Sequence, residues 1–350
     1  MDEQKQRTEI AALGEFGLIK ALTSQFKNIH SSTIKGVGDD AAVIDTGNKF
    51  TLVTTDLLAE GIHFDLMYYP LKHLGYKAVV VNLSDIYAMN GIPKQVTVSF
   101  AVSNRFSVEA LQELYAGVRY ACERYRVDLV GGDTSSSLKG MFISVTAIGE
   151  VDKDKVTYRS TAREGDYLCV SGDLGGAYLG LQLLEREKQI YLENPEVQPD
   201  LEGQHYLVGR QLKPEARRDI IELFAEKGIL PSAMIDISDG LSSDLLHICL
   251  QSNVGCRLYE ADIPISQEAL ELAFKFSLDP TTCALSGGED YELLFTLSRE
   301  DKTKLEHEWD ITVIGDIVKK EHGTKLLTKG GNLYDLTAQG WDAFLKSPRQ

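Results

Sequence analysis

Acidic residues recur in short motifs along this chain, and most of these motifs contain glycine. The stretch GVGDDAAVI places Asp39 and Asp40 side by side, and later motifs add Asp56 in VTTDLL, Asp85 in VNLSDIYAMNG and Asp133 in LVGGDTSS. Unpaired carboxylates that gather in one place cannot all stay ionised unless cations accompany them. Carboxylate and hydroxyl oxygens suit Mg²⁺, which completes its shell with water and phosphate oxygens. The motifs therefore predict a site for magnesium and a phosphorylated ligand.

Further acidic residues follow in the second half of the chain. The stretch MIDISDGLSSD contains Asp236, Ser238 and Asp239, and LSGGEDYELLF contains Glu289 after two glycines. Ligands of open α/β sheets collect beyond the carboxyl ends of strands, so side chains placed there could converge on one cleft. Glycines beside them permit a close approach of backbone amides to phosphate. We therefore expect both halves to contribute to one site.

Familiar phosphate-binding sequences are missing from the chain. It contains no GxxxxGK[ST] motif, no GxGxxG that opens a helix, and no HRD or DFG motif of the protein kinases. If the protein handles ATP, metals and backbone amides must neutralise the phosphates. Arg159 and Arg163 are the nearest basic candidates for a phosphate contact, although spacing alone favours solvated surface charges for both.

Each acidic motif also has a simpler explanation when it is taken alone. Asp133 is a common type of turn residue after two glycines, and Asp236 and Asp239 could cap the helix that follows them. Asp85 differs because apolar residues surround it on a predicted helix, where a carboxylate is costly without a partner. The recurrence of the motifs favours the metal and phosphate interpretation.

The composition is that of a folded protein without a strong affinity for nucleic acid. The chain has 350 residues, of which 43% are hydrophobic, and its formal net charge is −16. A chain this acidic lacks the basic surface that a nucleic-acid backbone requires. The five cysteines are dispersed, as in proteins with reduced thiols. No apolar run is long enough to span a membrane, and the polar N-terminus is not a signal peptide, so we expect a cytoplasmic protein.

The order of helix and strand patterns predicts two α/β domains, one over residues 1–150 and one over residues 151–350. Apolar residues at helical spacing predict helices near residues 8–26, in LKHLGYKAVVVNLSDIYAMNG and in SVEALQELYAGVRYACERYR. A charged stretch near residues 150–165 is the expected boundary between the domains.

Three segments are predicted to leave regular structure. Phe50 to Thr54 is predicted as a strand that runs into a polar turn. The stretch VDLVGGDTSSS is predicted as a strand that breaks into a turn at its glycines. Residues 186–213 are polar and contain two prolines, so we expect a long surface loop or insertion there.

The motifs as a set resemble those of the thiamine-monophosphate kinase family. GEFGLI, GVGDDAAV, TTDLLAEGIHF, KAVVVNLSDIYAMNG, VGGDTSSS, IDISDGLSSD and SGGEDYELLF occur in the order and spacing of that family. The family belongs to the superfamily of aminoimidazole ribonucleotide synthetase and selenophosphate synthetase. The resemblance extends from residue 14 to GWDAF at 340–344, and it implies a two-domain α/β fold with mixed sheets flanked by helices.

The resemblance implies an activity as well as a fold. Members phosphorylate thiamine monophosphate to thiamine diphosphate with ATP and several Mg²⁺ ions. We expect direct in-line attack of the substrate phosphate on the γ-phosphorus, with no phosphorylated side chain on the way. We also expect a homodimer formed through strands of the first domain, and a site for ATP and its metals between the two halves.

The resemblance also implies roles for individual residues. The implied metal ligands are Asp40, Thr54, Thr55, Asp56, Asp85, Asp133, Asp236 and Asp239. The implied ATP contacts are Tyr115, Gly132, Asp133, Arg159 and Ser238. The implied contacts to thiamine phosphate are His63, Glu289 and Trp341. A carboxylate and an aromatic face are suitable partners for a cationic thiazolium and a flat pyrimidine.

Two alternatives remain open from the sequence. One is a different ATP-using enzyme of the same superfamily. A selenophosphate synthetase would carry a reactive cysteine near its N-terminus, whereas the first cysteine here is Cys122, but an amidine-forming purine enzyme is harder to exclude by spacing. The other is a nucleotide- or metal-binding regulatory module without catalysis.

Overall fold

A computed structural model of the chain describes residues 13–305, 308 and 310–338. Its first half consists, in chain order, of α1 (Gly14–Thr23), β1 (Thr33–Lys35), β2 (Ala42–Asp45), β3 (Phe50–Ala59), α2 (Leu71–Ala88), β4 (Ile92–Val102), α3 (Val108–Tyr125), β5 (Asp128–Ser136) and β6 (Phe142–Val151). These strands form one sheet in the order β1-β2-β3-β6-β4-β5. The pair β4 and β5 is parallel and the other neighbours are antiparallel.

The second half forms a second mixed sheet. Its elements are β7 (Tyr167–Ser171), α4 (Gly176–Glu193), α5 (His205–Leu212), α6 (Arg218–Lys227), β8 (Ala233–Asp236), α7 (Leu241–Ser252), β9 (Gly255–Tyr259), α8 (Gln267–Lys275), α9 (Pro280–Ser286), β10 (Leu293–Leu297), α10 (Arg299–Thr303), β11 (Ile311–Val318), β12 (Thr324–Leu327) and β13 (Leu333–Asp335). The strand order is β13-β12-β9-β11-β7-β10-β8. The predicted fold of two mixed sheets flanked by helices is confirmed.

Helix α2 is the element that joins the two halves. It is buried along most of its length, because it packs against α3 and the first sheet and also contacts β8 and α5 of the second half. The contact with α3 depends on two glycines. A Cβ at Gly75 would lie 1.9 Å from Leu114 O, and one at Gly117 would lie 1.9 Å from Lys72 O. Side chains larger than hydrogen would push the two helices apart.

The apolar core continues across both halves of the chain. A cluster of buried side chains extends from Leu52 of β3 and Val79 of α2 to Phe224 of α6 and Phe295 of β10. Burial of these side chains, at about 25 cal/mol per Å² of apolar surface, is the main stabilising term for holding the halves together. Within the described residues, no helix combines the length and the apolar character needed to cross a bilayer.

Three of the local predictions are wrong. Strand β3 does not end at Thr54 but continues to Ala59, paired with β6 over its whole length, so Asp56 lies inside a strand. Strand β5 continues through its two glycines to Ser136, because both remain extended and paired with β4. Residues 186–213 are mostly helical, since α4 reaches Glu193 and α5 covers His205–Leu212.

Candidate active site

Three aspartates from distant segments meet where the two halves touch. Asp40 lies in the loop before β2, Asp85 on α2 and Asp236 at the end of β8. One carboxylate oxygen of each lies within 4.8 Å of those of the other two. The Asp40 side chain and the whole of Asp236 are each only 3% exposed. This set of hard oxygen atoms has the composition of a divalent-cation site.

Asp56 of β3 completes what we call the acidic cluster (Asp40, Asp56, Asp85 and Asp236). Burial raises the pKa of Asp56 to about 7, and the charge of Asp236 adds to the rise. Burial also raises the pKa of Asp40 to about 7, although Arg159 opposes the shift. The pKa of Asp85 is raised well above its ordinary value, first by burial and then by the other three carboxylates. Full ionisation of the cluster therefore requires added positive charge.

Helix α2 orients the cluster with polar side chains on an otherwise apolar surface. The side-chain oxygen of Asn82 accepts a hydrogen bond from the backbone N–H of Asp56 at 2.9 Å. The hydroxyl of Ser84 donates to Asp236 Oδ2 at 2.6 Å. These contacts tie one strand from each sheet to the helix that carries Asp85. A shift of α2 would therefore move the whole cluster.

Arg159 explains why two aspartates stand side by side in the GVGDDAAVI motif. Its Nη2 donates to Asp40 Oδ1 at 2.6 Å, and its Nε lies 3.5 Å from Asp39 Oδ1. The backbone N–H of Arg159 also donates to Asp39 Oδ1, at 3.3 Å. The Arg159 side chain is 10% exposed, so it is a buried partner of both carboxylates rather than the solvated charge that spacing alone favours.

The two predicted threonine ligands lie on opposite faces of the first sheet. Thr54 is on the face covered by α2, where its hydroxyl donates to Asp85 Oδ2 at 2.6 Å. Successive side chains of a strand point to opposite faces, so Thr55 lies on the other face. There its hydroxyl donates to Val145 O at 3.0 Å. The structure therefore brings Thr54 into contact with the cluster and leaves Thr55 outside it.

Asp133 and Gly132 lie on β5, at the edge of the first sheet. The register pairs Asp133 with Ser99 of β4, Ser99 with Ser144 of β6, and Ser144 with Leu57 of β3. Three strand spacings therefore separate Asp133 from β3, about 14 Å in all. Within one chain this distance keeps Asp133 away from the acidic cluster. Gly132 is required for the pairing itself, because a Cβ there would lie 1.8 Å from Val98 O.

Two aromatic residues were also predicted as ligand contacts. One lies away from the acidic cluster, and the other lies outside the described residues. Tyr115 lies on α3, where its ring packs edge-on against Phe100 with centroids 5.7 Å apart. Trp341 lies beyond residue 338, outside the part of the chain that the structure describes.

A turn at the end of β8 carries the second group of predicted residues. Ser238 and Asp239 lie between Asp236 and the start of α7. Asp244, which the sequence analysis did not single out, accepts a hydrogen bond from the backbone N–H of Asp239 at 3.2 Å. Burial raises the pKa of Asp244, and the charges of Asp239 and Asp236 add to the rise. Asp244 therefore extends the acidic region into α7.

The loop that carries Glu289 packs directly on this turn. The backbone N–H of Glu289 donates to Ser238 O at 2.7 Å. Gly288 adopts a φ of +70°, and a Cβ there would lie 2.6 Å from the same oxygen. The glycine is thus needed for the close approach of the two loops. Glu289 itself has a φ of +58°, which is uncommon for a residue with a side chain.

The side chain of Glu289 is held by two residues that sequence reasoning missed. Lys77 of α2 donates to Glu289 Oε1 at 2.8 Å, and Gln211 of α5 donates to Oε2 at 2.7 Å. His63 lies nearby. Burial lowers the pKa of His63, with Glu289 opposing and Lys77 adding to the effect. Nδ1 of His63 accepts a hydrogen bond from the backbone N–H of Ala59 at 2.9 Å, so a neutral imidazole carries its proton on Nε2.

A cavity of about 630 Å³ lies beside a different group of charges. Its wall includes Arg210 and Arg217, which both pair with the buried Glu292, and Arg124, which pairs with Glu215. The acidic cluster does not line this cavity. Because these charges already compensate one another, we interpret the group as an ionic network between elements of the second half and α3.

Comparison with protein families matches both halves of the chain. Residues 38–151 match the model of the AIR synthase related protein, N-terminal domain. Residues 163–326 match the model of the AIR synthase related protein, C-terminal domain.

Comparison with individual proteins finds relatives that are similar to this chain over nearly their whole length. The thiamine-monophosphate kinase of Aquifex aeolicus is 37% identical over 91% of this chain and 97% of its own. That of Bacillus subtilis is 34% identical over 95% of this chain and 100% of its own. The solved structure of AaThiL complexed with AMPPCP and TMP superimposes with a TM-score of 0.81 at 33% identity, covering 97% of this chain and 99% of that one. The chain belongs to the thiamine-monophosphate kinase family.

Proposed function

We propose that this protein transfers the γ-phosphate of ATP to thiamine monophosphate and so forms thiamine diphosphate. The observation that carries the proposal is the convergence of Asp40, Asp85 and Asp236 within 4.8 Å, because the motifs that supply them are those of a family of metal-dependent kinases. A neighbour at 33% identity holds AMPPCP and TMP in its solved structure. The relatives named thiamine-monophosphate kinase cover nearly the whole chain.

The residues present fit magnesium as the metal. The acidic cluster offers carboxylate oxygens, which are the ligands that Mg²⁺ prefers. Asp40 Oδ2 is buried and has no hydrogen-bond partner among the described residues, and a buried polar atom of this kind is costly unless a ligand satisfies it. When bound, magnesium supplies the positive charge that neutralises phosphate oxygens in phosphoryl transfer. We propose Thr54 and Asp239 as further ligands.

The chain's own residues then bind and orient the reactants. Arg159 compensates Asp39 and Asp40 and keeps the Asp40 carboxylate in place. On helix α2, Asn82 fixes the backbone of Asp56 and Ser84 holds the Asp236 carboxylate, so little reorganisation is needed during the reaction. A phosphate monoester is largely a dianion near pH 7, so the attacking oxygen needs no general base. We propose contacts from Ser238 and Arg159 to ATP.

At the far end of the site, His63 and Glu289 would contact the organic part of thiamine monophosphate. His63 presents an N–H donor and Glu289 a carboxylate acceptor. Trp341 stays a predicted contact to the same substrate, and Tyr115 and Gly132 stay predicted contacts to ATP.

A homodimer is part of the proposal and is supported by strand β5. All nine of its residues are exposed, including Leu129 and Val130, and β4 is its neighbour in the described sheet. An uncovered edge strand with apolar side chains is a site for pairing with another chain. The proposed compartment is the cytoplasm, where the five unpaired thiols would remain reduced.

The proposal is tested by incubating the purified protein with ATP, Mg²⁺ and thiamine monophosphate. We expect thiamine diphosphate and ADP in equal amounts, and no product when EDTA replaces Mg²⁺. Turnover of a purine precursor in place of thiamine monophosphate would instead identify a different enzyme of the superfamily.

Asp85→Asn tests the acidic cluster directly. Because this substitution keeps the shape of the side chain but removes a charge from the metal site, we expect kcat to fall on the order of 100-fold or more. Circular dichroism and thermal melting check that the variant folds. The exposed Asp154→Asn serves as the matched control and should retain full activity. Full activity of Asp85→Asn would contradict the proposed site and favour a role for the carboxylate in folding alone.

A further inference from the structure

We infer that Lys77 and Gln211 are positioning residues that hold Glu289 as a preset hydrogen-bond acceptor for an amino group on the substrate's heteroaromatic ring. Glu289 would then read the shape and polarity of that ring instead of acting as a counter-ion to its positive charge. The inference rests on the proposed function and adds the residues that determine substrate specificity.

The burial of Lys77 is the first observation. Lys77 lies in the middle of α2 and is 1% exposed. A buried ammonium group is costly unless it is paired, and Glu289 Oε1 at 2.8 Å is the partner that the structure provides. The face of the Tyr69 ring, 5.6 Å from the Lys77 nitrogen, adds a cation–π contact. Lys77 therefore compensates the charge of Glu289 before any substrate binds.

Gln211 provides the second observation. It is 3% exposed, and its amide donates to Glu289 Oε2 at 2.7 Å. Its own Oε1 is buried and has no hydrogen-bond partner among the described residues. An orphan acceptor of this kind is rare in a folded protein, and a ligand N–H is one way to satisfy it. Gln211 thus orients Glu289 and points to a ligand at the same place.

The remaining hydrogen-bonding capacity defines the ligand. A carboxylate has about four acceptor positions, so Glu289 keeps free positions after the bonds from Lys77 and Gln211. His63 presents an Nε2–H donor, because its Nδ1 already accepts from Ala59. An acceptor beside a donor matches a ring that carries an amino group next to a ring nitrogen. The aminopyrimidine of thiamine monophosphate has this pattern.

Helix α2 also sets the distance between this subsite and the acidic cluster. Lys77 and Ser84 are seven residues apart and lie on the same side of the helix, about 10 Å along its axis. Ser84 donates to Asp236 of the cluster. One rigid helix therefore separates a subsite for a ring from a site for phosphate. A substrate with a ring at one end and a phosphate at the other fits this spacing.

The test measures discrimination between two substrates. Thiamine monophosphate is compared with its 4-oxo analogue, in which oxygen replaces the ring amino group, using wild type, Lys77→Met and Gln211→Leu. A site that hydrogen-bonds a substrate group rejects an analogue lacking it by a large factor. We expect the ratio of kcat/KM values to fall at least tenfold in both variants, with KM for thiamine monophosphate raised and KM for ATP unchanged.

Lys213→Met is the matched control. Lys213 also forms an ion pair, with Glu215 at 3.2 Å, and lies 4.7 Å from the centre of the Tyr76 ring, but it does not contact Glu289. Its substitution should leave the discrimination unchanged. A double-mutant cycle adds a second readout, since Glu289→Gln should cost less in the Lys77→Met background than in wild type.

The outcomes separate the two proposals. If wild type does not phosphorylate thiamine monophosphate, the proposed function fails and this inference fails with it. If wild type is active and both variants keep the wild-type discrimination, only the inference is overturned. If Lys77→Met does not fold, Gln211→Leu decides, because it removes a neutral donor and leaves the ion pair in place.

Discussion

At the scale of single residues, the site combines carboxylates that repel one another with few compensating charges. Arg159 pairs with Asp39 and Asp40, whereas Asp85 accepts its hydrogen bond from the neutral hydroxyl of Thr54. In the absence of metal, protonation is the remaining way to lower the repulsion. Burial and this repulsion together raise the pKa values of the acidic cluster. The stability of the protein and its affinity for metal therefore both depend on pH.

We predict that the metal-free protein loses stability as the pH rises from about 4 towards 8. The pKa of both Asp40 and Asp56 is about 7 in the folded chain against an ordinary value of 3.8. A raised folded pKa means that the contribution is fully present below the unfolded pKa and is lost as the pH rises through the folded one. Thermal melting in EDTA across this range measures the effect.

Magnesium should reverse this loss, because it replaces the protons on the acidic cluster. We therefore expect the rise in Tm on adding Mg²⁺ to be larger at pH 8 than at pH 5. Asp56→Asn provides the comparison, since it removes one titrating group and should flatten the pH dependence in EDTA. A Mg²⁺-induced rise in Tm that is the same at both pH values would argue against binding at these carboxylates.

The residues found by sequence reasoning and those missed differ in a physical way. Asp85 could be predicted because a carboxylate in an apolar helix needs a partner, and the structure supplies partners. The same reasoning applies to Lys77, which lies in the same helix within GYKAVVVNL, so its burial was open to prediction. The burial of Gln211 could not be predicted, because a neutral amide does not need a charged partner as a lysine does. Its segment was also interpreted as a loop.

At the scale of elements, α2 decides where the functional groups lie. It carries Lys77, Asn82, Ser84 and Asp85, and these four side chains reach residues of β3, of β8 and of the loop before β10. Its hydrophobic pattern predicted the helix well. Its closeness to α3 was harder to predict, since it depends on glycines whose role appears only when two helices are placed together.

We predict that Gly75→Ala damages both stability and activity. The new Cβ would lie 1.9 Å from the Leu114 backbone oxygen of α3, and backbone cannot move aside as a side chain can. Overpacking of this kind costs about 1–3 kcal/mol, and the displaced helix would carry Lys77 and Asp85 with it. Urea denaturation measures the free energy of unfolding, and KM values for both substrates and for Mg²⁺ report the shift of the site.

Gly209→Ala in α5 is the matched control for this substitution. A Cβ there would meet no atom within 4 Å, and alanine is the better helix former by up to about 1 kcal/mol. The control should therefore be neutral or slightly stabilising, with unchanged kinetics. Equal behaviour of the two alanine variants would show that the α2–α3 contact is more adaptable than its distances indicate.

The strands illustrate a different limit of sequence reasoning. The strand at Phe50 was predicted, but not its continuation to Ala59, because the threonines and Asp56 read as a polar turn. Pairing with β6 supplies the hydrogen bonds that keep this segment extended. The same holds for β5, whose glycines are turn formers in isolation and remain extended beside β4. In both cases non-local pairing overrides the local preference.

At the scale of the whole molecule, the described residues of a single chain leave one face of the first sheet uncovered. Thr55 and Leu57 of β3 are exposed on it, and the register adds Asp133 of β5 to the same face. Two predicted ligands, Thr55 and Asp133, therefore lie on a surface that α2 does not cover. The proposed homodimer would cover this surface, and a second copy could bring its own Asp133 towards Thr55.

We predict that the protein is a dimer in solution, with twice the 38.8 kDa mass of one chain. Val130→Arg should convert it to monomer, because a charge on the exposed face of β5 opposes pairing of the apolar strands. Light scattering coupled to size exclusion measures the mass. Leu138→Arg, which alters a fully exposed side chain just beyond β5, is the control and should leave the dimer intact.

Mixed dimers test whether Asp133 acts in the partner's site. Asp133→Asn and Asp236→Asn are each expected to be inactive as homodimers. If a site combines Asp236 of one chain with Asp133 of the other, the heterodimer holds one intact site, and its activity should be roughly half that of wild type. The heterodimer is isolated by two different affinity tags.

A heterodimer of Asp85→Asn with Asp236→Asn should stay inactive, because both residues belong to one chain's cluster and each site is then damaged. If the heterodimer of Asp133→Asn with Asp236→Asn shows no activity, Asp133 does not act in the partner's site. Its distance from β3 already separates it from the acidic cluster of its own chain.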